Sequence, residues 1–484
     1  MSIVNNENVL KILYSYNPWW TTGTVQKNLN KPKRRFAYYE ANQIFLHKDI
    51  RRTVLLSGAR RVGKTTIIYQ TINDLIEQKH VSHKDIMFVS FDHPLLKMCS
   101  IESVIDVYQK NISSNENVYC FFDEVQYASD WNSWMKILYD TMPNVRVMAT
   151  GSASPMIIDK VSESGLGRWK VVQVPTLSFF EYYDFLNLEP IDLPKGLKPT
   201  QLYQLDHRSQ MDIFMKLGKL QTHFLRYLQV GGFPELALSK DDIYAQRILR
   251  EDIVDKALKR DLPALYGIRN VSDIEKVFLF LCYHSSNLIN IELISKELSG
   301  VSRNTIERYI SHLENANLIY VSPPIDLGGK KVLKQQNKIY ISDAAMRNAV
   351  LMYDDISTNP EELGIVVETA VYKHVKTFYY EDNSVVGYFR KSSRENEIDI
   401  VVRSPKRQQD IMIEVKYREQ VNMRETDAVV AMSGKKQPNL VITKRDNDFG
   451  LTQVGEKQVY KMPACAFLYL LGFVENENLK RYLQ

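Results

Sequence analysis

The stretch Thr53-Val-Leu-Leu-Ser-Gly-Ala-Arg-Arg-Val-Gly-Lys-Thr-Thr66 constrains this chain more than any other. A short apolar run, Val54 to Leu56, leads into Gly58-x-x-x-x-Gly63-Lys64-Thr65, and an apolar helical pattern begins at Ile67. Strand, glycine-framed turn and helix in that order are the context a phosphate-binding loop requires. Gly58 and Gly63 permit backbone torsions that a side chain forbids. The N–H groups of Gly58, Ala59, Arg60, Arg61, Val62, Gly63, Lys64, Thr65 and Thr66 can therefore turn inward around an anion. The following helix points its positive end at the same place. Lys64 is placed to reach outer phosphates and Thr65 to offer a hydroxyl to Mg²⁺. The ligand this pattern implies is a nucleoside triphosphate with Mg²⁺. No Asn-Lys-x-Asp set for reading guanine is present, which favours ATP over GTP.

At 484 residues the chain exceeds what a single core serves, so two or three domains are expected. The net charge of +5 permits nucleic-acid binding on one face without demanding it. Four cysteines, Cys99, Cys120, Cys282 and Cys465, are too widely spaced for a disulfide framework or a zinc pattern, which points to a reducing, cytoplasmic setting. No signal-peptide pattern opens the sequence, and the longest apolar run, Met462 to Val474, is too short to cross a bilayer. No membrane partner is expected.

Ahead of the loop, Asn17-Pro18-Trp19-Trp20 reads as the start of an extended segment whose tryptophans anchor onto the domain. The basic cluster Lys31 to Arg35 reads as a solvated surface. After the loop, Asp85 to Asp92 is a continuous apolar run of the kind buried parallel strands show. Val118 to Phe122 is another, and it ends in Asp123-Glu124. Hydrolysis of a triphosphate needs one carboxylate at a strand tip for the Mg²⁺ shell and a second to polarise the attacking water. Asp123 and Glu124 supply them in that order. A further strand, Val145 to Ser154, ends in small polar residues, and Thr150 or Ser152 could hydrogen-bond the γ-phosphate or the water. A strand from Val171 to Val174 completes five strands alternating with helices, an α/β domain.

The set NPWW, GARRVGKTT, FFDEVQ, ATGSAS, GRW, Leu177-Ser-Phe-Phe-Glu-Tyr and Gly231-Gly-Phe-Pro-Glu235 resembles prokaryotic AAA+-type ATPases, additional-strand P-loop proteins with a C-terminal domain of uncharacterised function. The resemblance implies a sheet of order 5-1-4-3-2 followed by a helical lid. It places Ser152 at the first sensor position. It makes Arg168 a candidate for the arginine that touches a γ-phosphate, in cis or from a neighbouring subunit of a homo-oligomer, with a plain surface arginine as the competing reading. No arginine in the lid stands out as a second sensor.

The expected organisation is an ATPase core with N-terminal extension (1–177), a helical lid (178–264), a winged helix-turn-helix (265–330) and an α/β domain (331–484). Within the third part, Asn290 caps a short helix and Ser302 opens a second whose apolar face is Ile306, Tyr309-Ile310, Leu313 and Ala316. Its outward face mixes Arg303 and Arg308 with Glu307 and Glu314, so DNA contact and packing against protein are both open. In the last part, Glu397 to Val402 and Ile411 to Tyr417 read as a hairpin in which paired residue numbers sum to 813. Asp399 then faces Glu414 with Cβ atoms about 5 Å apart, and Lys416 shares their face. Two carboxylates at that range repel by roughly 3 kcal/mol at an effective dielectric near 20, so the cluster calls for a cation, Lys416 or a divalent metal. Asp…Glu-x-Lys on a hairpin after a helix resembles the core of PD-(D/E)xK nucleases. By that resemblance Asp399 and Glu414 are metal ligands, Glu368 an additional acid, Lys416 the catalytic lysine, and DNA the substrate. A surface charge ladder on a binding module is the competing reading.

Overall fold

In a computed structural model, the structure describes residues 5–151, 167–298, 300–325, 336–353, 355–380, 383–391, 397–405, 409–434 and 437–482. Two compact units are formed, one comprising Met1–Pro175 and Asn315–Asn317, the other Thr176–Glu314 and Leu318–Gln484.

The first unit is built on five parallel strands: β1 (Thr53–Ser57), β2 (Ile86–Ser90), β3 (Tyr119–Asp123), β4 (Arg146–Gly151) and β5 (Trp169–Gln173). Their order is β2-β3-β4-β1-β5, every neighbouring pair parallel, as the resemblance implied. β4 lies between β1 and β3, so the loop after β1 and the acids after β3 flank one intervening strand tip. Every residue of β1 is buried, which is why its sequence runs apolar without alternation. Helices Phe36–Phe45, Lys64–Glu77, Ile101–Asn111 and Trp131–Thr141 cover the sheet with their apolar faces.

The N-terminal segment departs from expectation in two ways. Residues around Asn17-Pro18-Trp19-Trp20 are helical rather than extended, lying between helix Asn6–Tyr16 and the turn Trp19–Thr22. Both indole N–H groups donate to the Ile86 carbonyl, at 3.1 and 2.8 Å. Asn17 accepts from the Phe88 N–H at 2.6 Å and donates to the Phe88 carbonyl at 2.8 Å. One side chain thus imitates a neighbouring strand along β2, an edge of the sheet, and covers backbone groups that would otherwise invite another chain. The basic cluster is also not a solvated surface throughout. Arg34 pairs with Asp74 at 2.6 Å, and Arg35 is buried, 5% exposed, behind the phosphate loop. A cation hidden at the base of an anion site does not show in a run of basic residues.

The second unit holds two sheets. β6 (Asn287–Leu288), β7 (Ile319–Ser322) and β8 (Lys338–Ile341) form an antiparallel sheet of order β6-β8-β7. Helix Val271–Tyr283 precedes β6, and helices Ile291–Glu297 and Arg303–Asn315 separate it from β7. The larger sheet contains β9 (Val385–Arg390), β10 (Glu397–Arg403), β11 (Ile411–Lys416), β12 (Asn439–Thr443), β13 (Gly450–Val454) and β14 (Lys457–Pro463). It is mixed, with order β13-β14-β12-β11-β10-β9; β9, β10 and β11 are antiparallel, and β11, β12 and β14 parallel. The β10–β11 register pairs Ile400 with Ile413, Val401 with Met412 and Val402 with Ile411, the sum of 813 read from the sequence. The β13–β14 hairpin was not anticipated, because β13 is five residues long and buries only Gly450 fully.

The helices from Phe179–Phe185 through Asp242–Ile248 belong to this second unit. The Gly231-Gly232 turn lies against Asp343, whose carboxylate accepts from the Gly232 N–H at 3.1 Å. Lys373 donates to that carboxylate at 3.4 Å and to the Leu177 carbonyl at 2.8 Å. The Gly-Gly-Phe-Pro-Glu and Leu177-Ser-Phe-Phe motifs are therefore parts of one buried polar network.

Candidate functional site

The phosphate loop folds as its residue types require. Gly63 has φ +96°, in the left-handed region, and caps the N-terminus of helix Lys64–Glu77. At Gly58 the constraint is space: a Cβ there would sit 2.1 Å from the Val174 carbonyl oxygen. A loop whose N–H groups face an anion must turn its carbonyls away, and those carbonyls need donors. Lys64 donates to the Gly58 and Ala59 carbonyls, both at 2.8 Å, and Arg35 to the Val62 carbonyl at 2.9 Å.

The acids after β3 converge on the same end of the sheet. Thr65 and Thr150 donate their hydroxyls to one oxygen of Asp123, at 2.9 and 2.7 Å. The Glu124 N–H in turn donates to the Thr150 hydroxyl at 2.9 Å. Thr150 thus bridges the two acids, a position the sequence reading did not anticipate. Burial pushes the Asp123 carboxyl up to about 6, with neighbouring Glu124 adding to the rise and the two threonines and Lys64 opposing it. Glu124 has φ +51°, an uncommon conformation for a side-chain-bearing residue, and its carboxylate accepts from the Gln126 amide. Oxygen donors from a hydroxyl and a buried carboxylate fit Mg²⁺, so Thr65 and Asp123 are the residues that would hold it.

Ser152 lies outside the described residues. Arg168 is described, and it lies at the other end of the sheet from the phosphate loop. Its carbonyl accepts from the Thr53 N–H at 3.0 Å, and Thr53 pairs with Trp169 at the start of β1. The loop follows the other end of β1, about 15 Å away at 3.3 Å per residue. Arg168 instead pairs with Asp140 at 2.8 Å. Strand direction thus places Arg168 at the end of the sheet remote from the loop, which motif order does not reveal.

In the second unit, the expected acids meet, but with an unexpected partner. Extending the observed register by one pair sets Asp399 opposite Glu414; Asp399 accepts from the Val415 N–H at 2.9 Å, and Lys416 donates to Glu414 at 3.1 Å. Glu368, on helix Pro360–Phe378, accepts from the Tyr340 hydroxyl at 2.8 Å. The ammonium of Lys338, 3% exposed, sits among Glu397, Asp399 at 3.5 Å and Glu368 at 3.6 Å. Burial pushes the Glu368 and Glu414 carboxyls up to about 8, with Asp399 adding to both. The carboxylates around it hold Lys338 in its charged form against desolvation.

Among the described residues no group of three or more His, Cys, Asp or Glu side chains is arranged to hold a metal ion. Asp399, Glu414 and Glu368, the expected metal ligands, are brought together, with the Lys338 ammonium beside Asp399 and Glu368. Lys338 supplies the cation the acids demand, and it comes from the smaller sheet. Sequence reasoning found the acids by their spacing on one hairpin; it could not find a lysine 61 positions from Asp399.

Residues 50–183 match the family model described as an AAA domain, and the first unit has the P-loop fold of that class. Residues 221–357 and 363–465 match two models described as domains of unknown function. An uncharacterized protein of Haemophilus influenzae is 25% identical over 312 residues, 63% of this chain and 70% of its own length. An uncharacterized protein of Methanocaldococcus jannaschii is 24% identical over 352 residues, covering 72% and 71%. Among solved structures, the Aeropyrum pernix ORC1 protein in complex with DNA aligns at 13% identity with a TM-score of 0.29, over 70% of this chain and 97% of that one. No helix among the described residues is long and apolar enough to cross a membrane.

Proposed function

We propose that this protein is an ATPase that uses ATP and Mg²⁺ to switch a C-terminal binding module. The observation that carries the reading is the convergence of Thr65 and Thr150 on one oxygen of Asp123, beside a complete phosphate loop. Loop N–H groups and the helix terminus bind the phosphates, and Lys64 exchanges carbonyl partners for phosphate oxygens. When bound at Thr65 and Asp123, Mg²⁺ neutralises charge on the outer phosphates. Glu124 orients the attacking water and takes its proton, with Thr150 fixing its backbone and Gln126 its carboxylate. ATP hydrolysis by purified protein tests this. Lys64→Ala should abolish ATP binding, and Glu124→Gln should bind ATP but lose at least 10²-fold in turnover, the scale of a general base. Wild-type turnover in Glu124→Gln would assign water activation to another residue.

For the second unit, Lys338 among the acids favours a module that binds without cutting. Helix, β6, two helices and the β7–β8 pair follow the order of a winged helix. Helix Arg303–Asn315 would then be its outward element, but Arg303 is engaged by Glu307 at 3.0 Å and Glu292 at 3.8 Å, which weakens any phosphate footprint. Protein is therefore the favoured partner. In a homo-oligomer, Arg168 would exchange its Asp140 partner for a phosphate held by a neighbouring subunit. Incubation with DNA, ATP and Mg²⁺ should give no cleavage. Cleavage lost in Lys416→Ala would restore the nuclease reading.

A further inference from the structure

We infer that Arg35 is a positioning residue for the phosphate loop, holding its N–H groups in the anion-binding orientation from behind. The inference rests on the ATPase reading above. Arg35 precedes helix Phe36–Phe45, far in sequence from the loop, and its backbone is extended (φ −82°, ψ 161°). From there its side chain reaches inward. One guanidinium nitrogen donates to the Val62 carbonyl at 2.9 Å and to the Pro175 carbonyl at 2.6 Å. Val62 immediately precedes Gly63 and Lys64, and its carbonyl belongs to the peptide whose N–H is that of Gly63. Fixing that carbonyl outward fixes the Gly63 N–H inward, because the peptide is planar.

Arg35 packs directly against the turn, since a Cβ added at Gly63 would lie 3.9 Å from Arg35 Cδ. The Pro175 contact matters equally. Pro175 follows Val174, whose carbonyl oxygen leaves no space for a Cβ at Gly58 and whose N–H donates to the Ser57 carbonyl at 2.6 Å. One buried cation thus ties the second half of the loop to the chain segment that braces its first half. Arg35 touches carbonyls on the outer side of the loop, so its effect on a phosphate is exerted through peptide orientation.

This arrangement sets which kinetic constant responds. Loop N–H groups hold the phosphates in the ground state and in the transition state alike, so loosening them raises KM with little change in kcat. Arg35→Met keeps the apolar stem and removes the donors. It should raise KM for ATP about tenfold, the scale of one charge-assisted hydrogen bond, with kcat within about threefold. Arg35→Lys retains a cation able to meet two carbonyls but with a shorter reach, and should be intermediate, about threefold. A purely structural role predicts the opposite split: fewer active molecules, hence lower apparent kcat at unchanged KM, with a lowered Tm. Unchanged KM in Arg35→Met would overturn the inference. Should that variant not fold, Arg35→Lys decides alone, and a wild-type KM there would overturn it. Absence of ATP binding and hydrolysis by the wild type would instead overturn the ATPase reading.

Discussion

Replacing Lys338 by Met tests what holds the second unit's acid cluster together. The side chain keeps its length and loses its charge, leaving Glu397, Asp399 and Glu368 without the ammonium they surround. At 3.5 Å and an effective dielectric near 20, each lost attraction is worth about 5 kcal/mol before desolvation is counted. Because the lysine no longer has to be desolvated and carboxyls can take up protons, the net cost is about 3–5 kcal/mol, the range for breaking a buried ion pair. The sign of the pH dependence follows from Glu368 and Glu414, whose folded values of about 8 lie above the ordinary 4.5. Between those values the folded state binds more protons than the unfolded state, so stability falls as pH rises toward 8. Loss of Lys338 raises the carboxyls further and steepens that fall. Urea unfolding followed by far-UV circular dichroism at pH 6 and pH 8.5 measures both quantities. All five tryptophans lie at positions 19, 20, 131, 134 and 169, so their fluorescence reports the first unit as an internal control. The variant should lose its second-unit transition at pH 8.5, recover part of it at pH 6, and keep wild-type fluorescence unfolding. An equal loss at both pH values would refute the electrostatic account, and no loss would show that Lys338 is not the cluster's cation.

Gly58→Ala should abolish nucleotide binding while leaving the second unit's circular dichroism intact, since the added Cβ would meet the Val174 oxygen at 2.1 Å; isothermal titration with ATP decides. Asn17→Ala should destabilise the first unit by about 2–3 kcal/mol, because the buried Phe88 N–H and carbonyl both lose their partner, and tryptophan fluorescence in urea reads the change. Thr150→Val removes the hydroxyl between Asp123 and Glu124 and should lower kcat more than tenfold with KM for ATP nearly unchanged, the pattern of an interaction spent on orienting the water. Equal losses in kcat and 1/KM would place Thr150 in nucleotide binding instead.

What the sequence made legible was what short-range pattern controls. The phosphate loop and the acidic strand tip rest on glycine spacing and apolar runs, the sheet order on the family resemblance that the motif set carries, and the β10–β11 register on alternation along two adjacent strands. The residues that escaped are those whose meaning depends on distant partners. Arg35 belongs to a basic run and becomes informative only when the chain carries it behind Val62, 27 positions on. Asn17 reads as the start of an extended segment, yet it pairs with an edge strand 71 positions away. Arg168 adjoins the correct strand, but at the end remote from the loop, and strand polarity relative to a loop is a property of the sheet.

The two acid sets in this chain differ in what surrounds their carboxylates. At Asp123 the neighbours are neutral hydroxyls from Thr65 and Thr150, with Lys64 engaged at the Gly58 and Ala59 carbonyls. Hydroxyls donate to a carboxylate without cancelling its charge, so Asp123 keeps the demand for a cation that Mg²⁺ would meet. At Asp399 the neighbours include a buried ammonium within 3.5 Å, and a divalent ion there would face both the repulsion of Lys338 and the loss of its ion pairs. Lys338 begins β8, which belongs to the smaller sheet, whereas Asp399 and Glu397 lie on β10 of the larger one. The contact therefore does for the second unit what a metal would do within a single hairpin: it neutralises the acids, and in the same bond it fixes one sheet's position against the other.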